Sequence, residues 1–97
     1  MNTVVVPPID FPPSTEMMRL RDMLDVEGNA WHDNSDRIAY RTQLWDGDHN
    51  VFSAIYGRYT YGEIELWTRS MQERKEDPIG LDTAEEAMEL IRKEVGK

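Results

Sequence analysis

The sequence predicts an α+β domain in which a helix, three consecutive antiparallel strands and a closing helix follow one another in the order α-β-β-β-α. Two observations indicate this class. Apolar residues recur at helical spacing near both ends of the chain, whereas between residues 30 and 68 the period falls to two and aromatic and β-branched residues dominate. The length of 97 residues favours one core, because two cores would each be too small to be stable. We therefore expect a three- or four-stranded antiparallel sheet with two flanking helices on one face.

Residues 1–13 hold four of the five prolines in the chain. Proline has no amide hydrogen and a fixed φ, so it is excluded from helix interiors and central strands. We therefore expect an N-terminal extended arm at 1–13, followed by a single α+β domain at 14–97. The arm also has the composition of a polyproline-type docking peptide, although a stiff leader or an edge strand is the simpler interpretation.

The first helix is predicted over residues 15–27. Ser14 or Thr15 offers an N-cap oxygen, apolar residues follow at helical spacing, and a glycine then provides the residue type that commonly ends helices. Arg21 and Asp25 are four residues apart, which is typical of an ion pair on a solvent face. We therefore expect both of these side chains on the polar side of the helix.

Three strands are predicted over residues 38–45, 51–57 and 61–68, joined by turns at 46–50 and 57–60. A short additional strand around residues 30–32 would make the sheet four-stranded. In the third strand Ile64 and Leu66 alternate with Glu63, Glu65 and Trp67. Because successive side chains of a strand point to opposite faces, the last three are expected on the outer side of the sheet.

The stretch 69–80 is polar and ends in Asp-Pro-Ile-Gly, so it is predicted as a surface loop with a helical turn over 70–75. A loop of this length in a small domain favours a role in interaction. In the closing helix Asp82 is placed to act as the N-cap, with Glu85 three residues on. The apolar stripe of this helix consists of Ala84, Ala87, Met88, Ile91 and Val95.

Nineteen acidic residues against eleven lysines and arginines give the chain a net charge of −8. This sign opposes non-specific attraction to nucleic acid or anionic lipid, so neither direct nucleic-acid binding nor membrane association is expected. The lack of cysteine excludes disulfides, thiolate nucleophiles and cysteine-based metal sites. No secretory signal or membrane-spanning apolar run is recognisable, which predicts a cytoplasmic protein.

Two polar loops carry the residues best suited to metal binding, namely His32 and His49 with neighbouring carboxylates. Neither histidine has a known ligand spacing, and we expect the loops at opposite ends of strand 38–45, about 25 Å apart. The stretch 46–50 begins like a calcium loop, but the later glycine and glutamate are missing. No nucleophile elbow or glycine-rich phosphate loop is found. We therefore predict no catalytic residue, no metal site and no cofactor.

Arginines and aromatic residues interleave through the strand region, as they do in sheets that bind single-stranded nucleic acid. The segment 31–70 nevertheless has six acids against four arginines, and its aromatic residues also suit a small core. An acidic mimic of DNA would need carboxylates gathered on one face. Here the acidic excess is spread as −3, −2 and −3 over residues 1–30, 31–70 and 71–97, which favours ordinary solubility as its cause.

Two short stretches carry a resemblance. They are Leu20-Arg21-Asp22-Met23-Leu24-Asp25, followed by Gly28 and Trp31, and Thr83-Ala84-Glu85-Glu86-Ala87. With Trp- and Tyr-rich strands between them, this layout resembles a group of short uncharacterised proteins of temperate bacteriophages and prophages. The resemblance extends over about residues 18–95, and the proline-rich leader and the 69–80 stretch depart from it. It implies a phage-borne accessory context and no particular chemistry.

We therefore expect a small non-enzymatic prophage-type accessory protein that binds another macromolecule, specifically a host or phage protein. The candidate binding residues are Glu63, Glu65, Trp67, Arg69, Arg74 and Ile79. An exposed Trp67 would also favour a homodimer through the outer sheet face or an edge strand. Two alternatives stay open: an acidic DNA-mimic inhibitor of a DNA-binding host protein, and a weak metal-dependent enzyme in which His32 and His49 converge.

Overall fold

The computed structural model describes residues 14–96, which form five strands and three helices. In chain order the elements are α1 (Thr15–Val26), β1 (His32–Asp33), β2 (Ala39–Asp46), β3 (His49–Gly57), β4 (Ile64–Thr68), α2 (Arg69–Glu73), β5 (Ile79–Leu81) and α3 (Ala84–Val95). The α+β class is confirmed, but the sheet has more strands than expected and an additional helix follows β4. The predicted arm at 1–13 lies outside the described residues. Among residues 14–96 no helix has the length and apolar character needed to cross a membrane.

The sheet is a continuous antiparallel meander with the strand order β1-β2-β3-β4-β5. Across its centre Thr42 lies opposite Ala54, and Ala54 lies opposite Leu66. β2 and β3 are joined by the two-residue turn Gly47-Asp48 rather than by the longer loop expected at 46–50. Gly47 has a φ of +60°, the left-handed conformation that a type II′ hairpin turn places at its first central residue.

One face of the sheet forms the core beneath α1 and α3. Phe52, Ala54 and Leu66, which share this face, are fully buried. The helices contribute the apolar positions that their periodicity predicts, namely Met17, Leu20, Leu24, Ala84, Ala87, Met88 and Ile91. Each large side chain buried in this way stabilises the fold by about 1.5–3 kcal/mol. Val95 departs from the expected stripe, because as the last residue of α3 it is 42% exposed.

α1 and α3 lie side by side and run in the same direction. Near their N-termini Arg19 of α1 forms an ion pair with Glu85 of α3. Near their C-termini Arg92 of α3 forms an ion pair with Glu27, the C-cap of α1, at 2.7 Å. The two pairs join matching ends of the helices, and so the N-terminal turns of α1 and α3 lie next to each other.

The ends of the two long helices follow from side-chain caps. Ser14 caps α1, its hydroxyl accepting a hydrogen bond from the backbone N–H three residues on at 3.3 Å. Thr83 caps α3 in the same way at 3.2 Å, so the expected cap at Asp82 is wrong by one residue. The reason is that β5 extends to Leu81, which leaves residue 82 as the connection between strand and helix.

The expectation of a loop at 69–80 is wrong apart from its helical turn. α2 occupies the first part and ends where Lys75 adopts a left-handed φ of +57°, while the Glu76 N–H donates to the Met71 carbonyl oxygen at 2.9 Å. β5 occupies the last part and pairs with β4. Both elements are too short to show a period in the sequence, since pairing and packing with neighbours stabilise them rather than local propensity.

Candidate functional site

The second face of the sheet, here called the outer face, lies opposite the face that α1 and α3 cover. Its central residues, identified from the strand register, are Arg41, Gln43, Trp45, Ser53, Ile55, Glu65 and Trp67. Ser53 lies between Gln43 and Trp67, and Ile55 lies between Arg41 and Glu65. Trp45 and Trp67 are 43% and 39% exposed. The outer face therefore carries two accessible indoles, on the strands that flank β3.

Hydrogen bonds hold both indoles in place. The Trp67 Nε1–H donates to the backbone carbonyl oxygen of Glu76 at 3.0 Å. The Trp45 Nε1–H points at Gln43 Oε1 at 3.4 Å, and the amide of Gln43 donates to the Ser53 hydroxyl at 3.0 Å. Ser53 is buried although it lies on the outer face, because these neighbouring side chains surround it. These hydrogen bonds restrict the orientation of both indoles, and a restricted side chain loses less entropy on binding.

Three of the six predicted binding residues lie on the outer face. Glu65 and Trp67 are in register with Ile55 and Ser53 of β3. The Glu63 carboxyl group lies over the backbone of Gly80 in β5, since a Cβ at that glycine would meet Glu63 Oε1 at 2.8 Å. Period-two alternation in the sequence was sufficient to place these three side chains together.

The other three predicted residues lie elsewhere. Arg69 is on α2 and borders a cavity described below. Arg74 is the C-cap of α2 and forms an ion pair with Glu76. Ile79 is in register with Leu66 and so belongs to the core-side face, where it is 42% exposed at the sheet edge. The six residues therefore do not form one surface, because 69–80 folds into a helix and a strand instead of one loop.

A cavity of about 420 Å³ opens between the β2–β3 turn and α2, and we call it the Trp45 cavity. Its lining residues are Trp45, Asp48, His49, Asn50, Arg69, Gln72 and Glu73. The Asn50 amide donates to the carbonyl oxygens of Leu44 and Phe52 at 3.3 and 3.1 Å, and its oxygen accepts from the Gln72 amide at 3.2 Å. A bulge between Leu44 and Trp45 permits this arrangement. The sequence contained no signal for the bulge, so the cavity was not predicted.

Arg21 is buried, which corrects the expectation of a solvent-exposed pair with Asp25. Its Nε donates to the Thr42 hydroxyl at 2.8 Å, its Nη2 donates to Asp33 Oδ1 at 3.1 Å, and its guanidinium lies 4.9 Å from the ring centre of Trp31. Asp25 instead accepts a hydrogen bond from the Trp31 indole at 2.7 Å. The signal for burial was available, because Arg21 continues the i, i+3, i+4, i+7 apolar stripe of α1.

The buried guanidinium gives the polar loop after α1 a structural role. Arg21 binds both Asp33 and the hydroxyl of Ser35, and its Nη2 also donates to the backbone carbonyl oxygen of Arg41 at 3.2 Å. Burial raises the pKa of the Asp33 carboxyl group, but hydrogen bonds from Ser35 and the charge of Arg21 outweigh burial and hold that pKa below its ordinary value. Hydrogen bonds from Arg21 therefore hold residues 33–35 next to β2.

The additional strand expected around residues 30–32 is present as β1 (His32–Asp33), and its pairing with β2 sets the position of His32. His32 of β1 lies opposite Gln43 of β2, and His49 of β3 lies opposite Asp46 of β2, so the histidines are on the two strands that flank β2. The two histidines are thus nearer than expected for opposite ends of a strand. Within residues 14–96 no group of three or more histidine, aspartate and glutamate side chains is arranged to hold a metal ion.

Carboxylates are distributed over several parts of the molecule and many are paired with arginines. Such pairs join Asp36 to Arg41, Glu76 to Arg74, Glu27 to Arg92 and Glu85 to Arg19. Hydrogen bonds from Arg92 and Arg19 hold the pKa values of Glu27 and Glu85 below their ordinary range. A continuous row of free carboxylates, which imitation of a phosphate backbone requires, is not formed by these groups.

Comparisons of the chain with protein-family models, with curated proteins and with solved structures find no match. The resemblance to short phage proteins therefore stays a prediction from the residues alone. The function proposed below depends on the geometry of the outer face and on the charge of the chain.

Proposed function

We propose that this protein is a non-enzymatic accessory protein of temperate-phage or prophage type, that it acts in the cytoplasm, and that it binds another protein through the outer face. The observation that carries the proposal is the pair of hydrogen-bonded indoles of Trp45 and Trp67, each about two-fifths exposed on the strands that flank β3. Tryptophan is among the residues most often found as anchors at the centre of protein interfaces.

The surroundings of the indoles support a protein as the partner. Ile55 provides an apolar, half-buried position next to Ser53 on the same face. Arg41 and Glu65 flank Ile55 with opposite charges. A patch with aromatic and aliphatic anchors and a mixed polar edge is the usual composition of a protein-binding surface.

Nucleic acid is a poorer fit to the same face. A sheet that stacks bases also needs cations that follow the phosphate backbone. Here the outer-face guanidinium of Arg41 is paired with Asp36, and Glu65 adds negative charge beside it. The net charge of −8 opposes association further.

The test is a comparison of tagged variants in a host lysate, with bound proteins quantified by mass spectrometry. We expect a protein retained by the native chain to be lost from Trp67→Ala, with affinity reduced about tenfold or more as for a buried interface anchor. Ile55→Ser changes the same face but keeps the hydrogen bond between the Trp67 indole and the Glu76 carbonyl oxygen. It is also expected to weaken retention of the partner. The matched control is Tyr59→Ala, since Tyr59 is 68% exposed and lies outside the outer face.

Two results would contradict the proposal. One is retention of the same proteins by the native chain and by both outer-face variants, with folding of each variant verified by circular dichroism. The other is retention that disappears on nuclease treatment, which would identify nucleic acid as the bound molecule. Sedimentation velocity across a concentration range separates a homodimer from binding to a different protein.

A further inference from the structure

The Trp45 cavity brings charged side chains of both signs next to an exposed indole, and these charged side chains do not pair with one another. Asp48, Arg69 and Glu73 border the cavity, and their side chains form no hydrogen bond or ion pair with the described residues 14–96. Arg69 and Glu73 are four residues apart on α2, a spacing at which opposite charges often pair, yet no ion pair joins them. By contrast, Arg74 in the next turn is paired with Glu76.

The charges that line the cavity favour a cationic ligand. The cavity is lined by two carboxylates and one guanidinium, so its formal charge, with histidine counted as neutral as in the net charge of the chain, is negative. The chain as a whole carries −8, which adds a field that attracts cations. The indole of Trp45, 43% exposed, supplies an aromatic wall of the kind that binds ammonium and guanidinium groups over its face.

We propose that the Trp45 cavity receives a lysine or arginine side chain from a basic segment of a partner protein. The cationic group lies against the Trp45 indole and between the carboxylates of Asp48 and Glu73. Arg69 donates to a backbone carbonyl oxygen of the same segment, which any peptide provides. The inference rests on the proposed function, since it assigns the chemistry of the partner, but it concerns a cavity beside the outer face and has its own test.

The walls of the cavity are held before binding. Asn50 bridges the bulge through two amide hydrogen bonds and accepts a third from Gln72, which ties α2 to β3. The turn that presents Asp48 is a two-residue hairpin connection with little freedom. A preformed site of this kind loses little conformational entropy when a side chain enters it.

The direct test uses a short peptide probe and the indole N–H signals in two-dimensional ¹H–¹⁵N NMR spectra. The probe is N-acetyl-Gly-Arg-Gly-amide, and its matched control carries citrulline, which has the shape of arginine without the charge. We expect the arginine peptide to shift the Trp45 indole signal and the Gln72 side-chain signals saturably, with the Trp31 signal unchanged. The Trp45 signal is assigned by its loss in Trp45→Phe.

Variants of the two carboxylates test the electrostatic part. Asp48→Asn and Glu73→Gln are each expected to weaken the peptide about two- to fivefold, the range for partly exposed ion pairs. Added salt is expected to weaken it as well. Glu89→Gln removes one negative charge from the exposed face of α3, away from the cavity, and is expected to leave the affinity unchanged.

Three results would overturn the inference: no saturable shift up to about 10 mM peptide, equal shifts with the citrulline peptide, or tighter binding by Asp48→Asn and Glu73→Gln. Shifts of Trp45 that depend on protein concentration without peptide would identify a second copy as the occupant and would also overturn it. The two proposals fail separately. If Trp67→Ala loses the partner and the native chain does not bind the arginine peptide, the proposed function is supported and the cavity inference is wrong. If the native chain binds the peptide but retains no protein from the lysate, the cavity inference is supported and the proposed function is wrong.

Discussion

The carboxylate of Glu16 accepts a hydrogen bond from the backbone N–H of Ala84 at 2.9 Å, across 68 residues of chain. Ala84 is the first residue of α3, and an N–H group at that position has no acceptor within its own helix. The same carboxylate accepts from Arg19 at 2.9 Å, and Arg19 also pairs with Glu85. A side chain of α1 thus caps α3, and the first turns of the two parallel helices are joined through one charged cluster.

Glu16→Gln is expected to lower the free energy of unfolding, because a neutral amide is a weaker acceptor at a helix N-terminus and no longer attracts Arg19. Urea unfolding followed by circular dichroism measures the change. Glu89→Gln is the matched control, since Glu89 is exposed on α3 and accepts no hydrogen bond from the described residues. Equal midpoints for the two variants would contradict a capping role for Glu16.

Acid is expected to destabilise the protein through the same groups. The Ala84 N–H and Arg19 hold the pKa of Glu16 below its ordinary value, and arginines lower the pKa values of Glu27 and Glu85. A carboxyl group with a depressed pKa in the folded state contributes stability above the unfolded pKa, about 4.3 for glutamate, and loses it as pH falls through the folded pKa. Thermal unfolding midpoints measured from pH 6 downward should therefore decrease once the pH passes below about 4.5. Midpoints that rise through this range would show that relief of the net negative charge dominates instead.

Arg21→Met is expected to reduce the free energy of unfolding by about 2–3 kcal/mol. The substitution removes the donor to the buried Thr42 hydroxyl and the cation that pairs with Asp33. The value is below the 3–5 kcal/mol of a fully buried pair because Asp33 is half exposed and keeps its hydrogen bonds from Ser35. Arg21→Lys should recover little, since an ammonium group cannot reach Thr42 and Asp33 in the same geometry. Arg74→Lys, at an exposed pair, serves as the control and is expected to change little. A loss for Arg21→Met no larger than that of the control would contradict the structural role of Arg21.

Lys75→Gly is expected to stabilise the protein by about 0.5–1 kcal/mol, because glycine adopts the left-handed φ of +57° at this position without steric cost. Lys93→Gly is the control, in the last turn of α3, where the backbone is helical. There glycine is expected to lower the free energy of unfolding by about 0.5–1 kcal/mol. Differential scanning calorimetry of both variants gives the comparison. Destabilisation by Lys75→Gly would mean that its side chain contributes more than the backbone strain removes.

Glu94→Gln tests the attachment of α2, which forms one wall of the Trp45 cavity. Glu94 is 3% exposed and accepts from the Ser70 N–H and hydroxyl at 2.8 and 2.9 Å. Replacing the carboxylate by a neutral amide turns two charge-assisted hydrogen bonds into weaker neutral ones, with the Ser70 hydroxyl then accepting from the NH₂ group, at a cost of about 1–2 kcal/mol. Hydrogen exchange should show faster exchange of the α2 amides with β3 unchanged. Uniform protection across both elements would contradict this attachment.

The positions of the long elements could be predicted because their signals are local. Ser14 caps α1 by its own hydroxyl, and the alternation around Ile64 and Leu66 places their neighbours on the opposite face. For the short elements the sequence indicated only approximate positions, an additional strand around residues 30–32 for β1 and a helical turn over 70–75 for α2, and it did not predict β5. Their stabilisation comes from pairing and packing with β2 and β4 rather than from their own residues.

By itself, the sequence determined the α+β class, the positions of α1 and α3, the side of the sheet on which Trp67 lies, and the lack of thiol chemistry. Each of these depends on residue type or on a period that neighbours in the chain establish. Only the tertiary structure decided that Arg21 binds Thr42 and Asp33, that Glu16 caps α3, and that α2 meets the bulge at Asn50 to form the Trp45 cavity. The reason is physical: hydrogen bonds and charges between residues well separated in the chain form only after the core has brought those groups together, and no local pattern encodes that distance.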